Sequence, residues 1–301
     1  MKVGISIAYS RAEEPTAKAL FKYAEAIEEA GFHSIYFTDH YLHYVPSLHS
    51  VSAAAIAIQA TDRVKVGFSA YVLPLRHPIM AAHEAASLDQ ISGGRLEFGV
   101  AAGSHEPEFQ AFGIPFFERG QRLEEGIQAL KALWRNDGQR FEGKYWRFEG
   151  VKLMPGPVQE PHPRLWIGSW AGPPRAARRI AAHADGWQAS GLHTTVEAFQ
   201  VGNQAIDEAC VATGRDPKTV ARAYVNAVTH IAATKNQAWT EAGEALRQKE
   251  ELRVIGTVDD AIAHLRRLQR AGVEEVTLLL PGWSHEQLRV ISKEVLPELI
   301  A

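Results

Sequence analysis

The sequence predicts an α/β protein, a single (β/α)8 barrel over residues 1–301 with extra segments after strands four and seven, and three observations carry that expectation. Eight short apolar runs alternate with helical patterns, and each run is followed by at least one helix. The run Leu96-Glu97-Phe98-Gly99-Val100-Ala101 alternates only weakly and stays apolar, as expected of a parallel strand covered on both faces. No shift in composition divides the chain. Single barrels commonly reach about 250 residues or more, so the length requires no second domain.

Val3 to Ala8 reads as the first strand, and Pro15 and Thr16 open a helix whose apolar positions Leu20, Tyr23 and Ile27 share one face until Gly31 ends it. Ser34 to Phe37 is the second strand and delivers Thr38-Asp39-His40 to the loop beyond it. A helix from Ser52 to about Ala60 is followed by the third strand, Arg63 to Ala70, and the loop Leu73-Pro-Leu-Arg-His-Pro78. Pro78 to Ile91 has helical apolar spacing and stops at Gly93-Gly94, which supply the positive φ that ends a helix. Leu96 to Ala101 is strand four and runs out at Gly103. Ala102 to Phe117 reads as irregular, Glu118 to Arg135 as a long helix, Gly143 to Phe148 as a short hairpin, and the proline-rich Pro155 to Pro163 as an extended connection. Leu165 to Gly168 is strand five, with a helix opened by Pro173 and running to His183. Asp185 to Gln188 is strand six, Val196 to Thr213 a helix, Val220 to Ile231 strand seven and Trp239 to Arg253 an added helix. Thr257 caps a helix to Ala271, Gly272 stops it, Glu275 to Leu280 is strand eight, and a last helix ends near Leu299.

Composition narrows the function classes. Lys and Arg number 32 against 35 Asp and Glu, a formal charge of −3, with no long basic run, so neither nucleic acid nor a membrane surface is an expected partner. One cysteine, Cys210, leaves no internal disulfide and no cysteine-built metal site, which fits a reducing cytoplasm. The first residues lack a basic region and an apolar core, and no apolar run reaches about 18 residues, so neither export nor insertion is expected.

In a strand-then-helix barrel the residues just past a strand's carboxyl end face the catalytic mouth. That places Asp39 and His40 after strand two, and Gly103, Glu106 and Glu108 after strand four, where titratable groups from separate loops suit proton transfer. Asp39 competes with the plainer role of turn former, and Glu106 with that of a solvated loop charge. Phe109 is an apolar anchor able to hold Glu108 inward. Trp166-Ile-Gly-Ser-Trp-Ala-Gly-Pro-Pro174 sets small residues before a helix N-terminus, a phosphate-binding pattern unless the glycines merely turn the chain, and Arg175 in that first turn favours an anion nearby. The histidines form no His-x-His or His-x-x-x-His pair on one element, so no metal site is expected.

Motifs in the same order along the chain carry a family resemblance. They are Ala24 to Phe32 running into Asp39-His40, Leu73 to Pro78, Leu88-Asp-Gln-Ile-Ser-Gly-Gly-Arg-Leu-Glu-Phe-Gly99, Arg119-Gly-Gln-Arg122, Pro155-Gly-Pro-Val-Gln159, Leu165 to Gly168 and Ala184-Asp-Gly-Trp187. With these the chain resembles the bacterial luciferase-like superfamily of flavin-dependent oxidoreductases, and within it the branch using the deazaflavin coenzyme F420. The resemblance implies a luciferase-like TIM barrel, a homodimer, and a flavin-type ring across the mouth. It implies His40 and Glu108 as catalytic groups, with Asp39 beside the ring. A non-prolyl cis peptide at Ser69-Ala70 would back the ring, with Gly103 at the mouth, and Gly168, Ser169, Gly172 and Ser190 would hold the phosphate. Tyr44 replaces a tryptophan of the family's sugar-phosphate dehydrogenases, and the stretch from Ser190 to His193 has no lysine, which argues against a sugar phosphate. Tyr9, Tyr41, Tyr44 and Trp283 are candidate cavity walls.

The function so implied is hydride transfer between coenzyme F420 and a small organic substrate. An FMN-dependent monooxygenase served by a separate flavin reductase is the alternative of the same fold, and a non-catalytic flavin-binding barrel the alternative of another class. Small residues in Ala53 to Ala60 and Ala81 to Ala86 are expected to permit close helix approach across a two-fold interface.

Overall fold

In the computed structural model, which describes residues 1–8, 16–42, 48–170 and 174–300, eight parallel strands close on themselves. These are β1 (Lys2–Ile7), β2 (Ser34–Phe37), β3 (Lys65–Phe68), β4 (Leu96–Ala101), β5 (Arg164–Ser169), β6 (Gly186–Ser190), β7 (Ala221–Ile231) and β8 (Glu275–Leu279). Each pairs with the next in chain order, and β8 closes the ring on β1 through Val3↔Val276 and Ile5↔Leu278. Around them lie α1 (Ala17–Glu29), α2 (Ser50–Gln59), α3 (Pro78–Ser92), α4 (Glu106–Ala111), α5 (Arg119–Trp134), α6 (Pro174–His183), α7 (Val196–Ala212), α8 (Lys235–Ala242), α9 (Val258–Arg270) and α10 (His285–Val290). Thr16, Thr195 and Thr257 each accept the N–H three residues on, so local capping chemistry sets where three helices begin. Among the described residues no helix is long and apolar enough to cross a membrane.

Two stretches differ from the sequence expectation. Residues 102–117 hold a helix, α4, whose Pro107 sits in the first turn where its missing N–H costs nothing. The helix expected over Trp239 to Arg253 instead starts at Lys235 and stops at Gly243, whose φ of +104° suits only glycine. A 3-10 segment, Glu244–Leu252, follows, and Val254–Gly256 then pairs as a short strand with Thr229–Ile231 of β7. The expected hairpin forms from Phe141–Glu142 and Arg147–Phe148, its turn tied to α5 because Glu125 accepts the N–H groups of Lys144, Tyr145 and Trp146.

The longest motif, Leu88 to Gly99, proves to be a clamp remote from the mouth. Asp89, fully buried, accepts from the Val158 and Gln159 N–H groups at 2.7 and 2.8 Å and from Gln159 Nε2 at 2.6 Å, pinning the proline-rich connection to α3. Arg95 donates to the carbonyls of Ile58 in the last turn of α2 and of Thr61 and Val64 beyond it. The Asp89 and Gln159 motifs meet in space because the Asp89 side chain satisfies the backbone at Val158 and Gln159.

Most of the small residues expected at a two-fold interface pack inside the protomer, while Ala55 and Ala60 stay partly exposed. Ala53, Ala54, Ala57, Ala81, Ala82, Ala85 and Ala86 are all buried, packed within the chain's own core. Their size lets α2 and α3 approach the barrel and each other.

At the amino-terminal ends of the strands the barrel interior encloses two carboxyls. Glu97 accepts from Trp166 Nε1 and Glu275 from the Ser34 hydroxyl, and both are buried. Burial raises the Glu97 carboxyl above the usual range; burial, together with the Glu97 charge, pushes Glu275 up to about 7 against the pull of Ser34. A folded-state pKa above the unfolded value near 4.3 gives stability that is full at low pH and is lost as pH rises through about 7. Over that window the loss from Glu275 is on the order of 3 kcal/mol. Glu275→Gln keeps the acceptor for Ser34 without the charge, so equilibrium unfolding at pH 5 and pH 8 should differ less in the variant by roughly that amount. Equal pH slopes in the two proteins would contradict it.

Candidate active site

The mouth is organised by the loop leaving β2. Asp39 is 3% exposed and its carboxylate meets four donors: Arg76 Nη1 at 2.6 Å, Arg76 Nη2 at 2.9 Å, the Ser50 hydroxyl at 2.7 Å and the Val72 N–H at 2.8 Å. Burial alone would raise the Asp39 carboxyl, but the charge and hydrogen bonds of Arg76 outweigh it and hold the group below the usual carboxylate range. Arg76 is itself stacked between Tyr71, at 3.8 Å from the ring centroid, and Tyr41, at 4.6 Å. The Tyr71 hydroxyl donates to Glu84 at 2.7 Å. Asp39, expected beside the ring, is therefore turned inward: its oxygens bind the 72–76 segment to the β2 loop.

His40, one residue on, meets Glu108. Its Nδ1 lies 3.2 Å from Glu108 Oε2, while Glu108 Oε1 accepts the N–H groups of Tyr41 and Leu42 at 2.6 and 2.9 Å. Glu108 is 1% exposed because Phe109, in an apolar cluster with Val72 and Leu75, anchors α4 beneath it. Glu106 is exposed, a solvated charge. A carboxylate can only accept, so the Nδ1 proton belongs to this contact and proton exchange with a bound reactant falls to Nε2. The arrangement has the form of an imidazole oriented by a buried carboxylate.

The Ser69–Ala70 peptide is cis, as the resemblance implies. Gly168 stands against Ala70 and Ala101: a Cβ there would crowd theirs at 3.0 and 3.4 Å, so glycine lets these three small, partly exposed residues pack together as a low shelf. Gly103 has φ +80°, and a Cβ would fall 2.7 Å from Val72 and 2.9 Å from Phe109, so glycine is required there by conformation and space alike. The Ser169 hydroxyl accepts from Trp187 Nε1 at 3.0 Å. The Ser190 carbonyl accepts from His193 and Thr194, closing a tight turn over β6. Gly172, Tyr9 and Tyr44 lie outside the described residues. Trp283 donates to the Ala8 carbonyl and stacks on Tyr23, whereas Tyr41 is partly open.

Sequence reasoning missed two parts of this face. On the β7 side Arg253 lies close to His193 and Tyr224, and its Nε and Nη1 are buried with no hydrogen-bond partner among the described residues. Burial, then the charges of Lys249 and Arg253, lower the pKa of His193, whose ring packs 4.4 Å from Trp170 beside Ser169. Positive charge thus gathers beside the Ser169 and Ser190 loops from a segment far along the chain, while Arg179 of α6 is engaged with Gly120 and Glu124 of α5. The other missed residue is Asn226, a polar residue in an apolar strand, which was the available signal.

The profile of a family described as luciferase-like monooxygenase matches residues 1–294. The FMNH2-dependent dimethylsulfone monooxygenase of Pseudomonas putida is 35% identical over 180 residues, 58% of this chain and 48% of that protein. The chain thus spans about half the length of several curated relatives it matches. The F420-dependent glucose-6-phosphate dehydrogenase of Amycolatopsis mediterranei (strain U-32) is 27% identical over 340 residues, covering 100% of this chain and 99% of that one. Among solved structures, a monooxygenase from Streptomyces bottropensis superposes with a TM-score of 0.88 at 25% identity, over 99% of this chain and 100% of that one.

Proposed function

This chain belongs to the luciferase-like monooxygenase family, and from that premise we propose that it is an oxidoreductase that moves a hydride between coenzyme F420 and a small organic substrate. The observation carrying the proposal is the His40–Glu108 pair: an imidazole whose buried partner fixes its tautomer, at the mouth of the barrel. The shelf of Ala70, Ala101 and Gly168 fits a flat ring, and the unpartnered nitrogens of Arg253 fit an anionic group beside the Ser169 and Ser190 loops. When bound, the reduced cofactor supplies the hydride, and with carbon at ring position 5 it does so without dioxygen. The protein's part is to hold reactants on the shelf and to exchange a proton at His40 Nε2 as charge develops on the substrate. Glu108 stabilises the imidazolium that gives up this proton to the substrate, and Asp39 with Arg76 keeps the two loops in register.

The F420 reading is supported by the Amycolatopsis dehydrogenase, which matches from end to end. A second reading, an FMN-dependent monooxygenase supplied by a flavin reductase, is supported by the FMNH2-dependent Pseudomonas relative and, as to monooxygenation, by the Streptomyces structure. Fluorescence titration of the apoprotein with each cofactor separates them. The expected result is tighter binding of F420 and turnover that proceeds in the absence of oxygen. Tighter FMN binding, or oxygen from O2 in the product, would replace the first reading with the second.

A further inference from the structure

We infer that Asn226 is a positioning residue: from β7 it grips the Ser69 end of the mouth's floor across the barrel and so sets where a bound ring rests. The inference rests on the mouth being the cofactor site. Asn226 has φ +63° at a bulge, because three steps along β7 from Tyr224 to Ala227 face two along β8 from Val276 to Leu278. Asparagine is among the few residues that tolerate that conformation. Both ends of its amide are then used on one residue of β3's exit. Asn226 Nδ2 donates to the Ser69 carbonyl at 3.0 Å, and the Ser69 hydroxyl donates to Asn226 Oδ1 at 3.1 Å. The Asn226 N–H donates to Thr277 Oγ1 at 3.1 Å, and that hydroxyl shares a 2.6 Å hydrogen bond with Ser6.

This chain of polar groups ties β3, β7, β8 and β1 together, and none of its members is more than 7% exposed. A fully satisfied buried network fixes one geometry where apolar side chains would accept several. Its object is the segment from Ser69 to Val72, which is held at separate points. The Ser69 N–H donates to the Phe37 carbonyl at 2.8 Å and the Val72 N–H to Asp39, while the Ser69 carbonyl is held by Asn226 alone among the described residues. Ala70, whose Cβ bounds the shelf over Gly168, lies between these points. Removing the grip frees the shelf from the opposite wall without touching His40, Glu108 or Arg253.

The test titrates F420 and FMN into the wild type, Asn226→Gly and Ser69→Ala. Glycine keeps the positive φ and deletes the grip; Ser69→Ala deletes only the hydroxyl half. Asn226→Gly is expected to weaken binding of the preferred cofactor about tenfold, as for one or two lost positioning hydrogen bonds, and Ser69→Ala by less. Thermal unfolding is followed in parallel. Unchanged cofactor affinity in folded Asn226→Gly, whatever its melting temperature, would show a purely structural role and overturn the inference while leaving the mouth as the cofactor site. If Asn226→Gly does not fold, an unchanged affinity in Ser69→Ala overturns it equally. A wild type that binds neither cofactor would remove the proposed function and this inference with it.

Discussion

Arg76→Met is expected to destabilise the folded chain by about 3–5 kcal/mol, the scale seen when one partner of a buried ion pair is removed. The arginine and aspartate side chains are 3% and 1% exposed, so the pair has no solvent to fall back on. Methionine would fill much of the space between Tyr41 and Tyr71 but leave the Asp39 carboxylate with only Ser50 and the Val72 N–H. Such a loss is a large share of the ~5–15 kcal/mol that holds most domains folded. The pH dependence should also change sign. In the wild type Arg76 depresses the Asp39 pKa, a contribution present above the unfolded value near 3.9 and lost as pH falls through the folded one. Without Arg76 burial dominates, the pKa rises, and stability is lost as pH rises instead. Denaturant unfolding of the wild type and Arg76→Met at pH 3, pH 5 and pH 8 reads both effects, the Asp39 part being the difference between the two proteins because Glu275 acts in both, and adding Asp39→Asn should recover part of the loss. A cost under about 1 kcal/mol with no reversal would mean that Arg76 does not balance Asp39.

The second large effect is on turnover. His40→Ala should lower the rate on any accepted substrate by about 10²-fold or more while leaving thermal unfolding nearly unchanged, since the His40 side chain is 23% exposed and its loss opens no core cavity. Glu108→Gln should reproduce most of that loss for a different reason. Its oxygen still accepts from Tyr41 and Leu42, but its amide offers His40 Nδ1 a donor, which drives the ring toward the opposite tautomer. Glu108→Ala should add a stability penalty that Glu108→Gln does not have, because two N–H groups lose their acceptor. Wild-type turnover in both His40→Ala and Glu108→Gln would remove the pair from the chemistry.

What the sequence determined by itself is the alternation of elements. Ser34–Phe37 and Leu96–Ala101 stand where their apolar runs put them, and Thr16, Thr257 and Gly93 mark helix ends through caps that act within four residues. Glu108 with its Phe109 anchor was also legible, since both lie one short step past a strand. The partners were not. Asp39 finds Arg76 37 residues away, Ser69 finds Asn226 157 residues away, and Arg253 reaches the His193 turn through a strand extension that followed an unexpected break at Gly243. Spacing along the chain carries no trace of such pairs, because they depend on barrel closure and on where β7 bulges. Asp39 illustrates the consequence: its place after β2 was readable, but whether its carboxylate faced open space or a guanidinium was decided by the loop after β3. Local hydrogen bonds and periodicity fix the elements, while the side chains that must be neutralised or held in a buried mouth are matched only when the ring of strands closes.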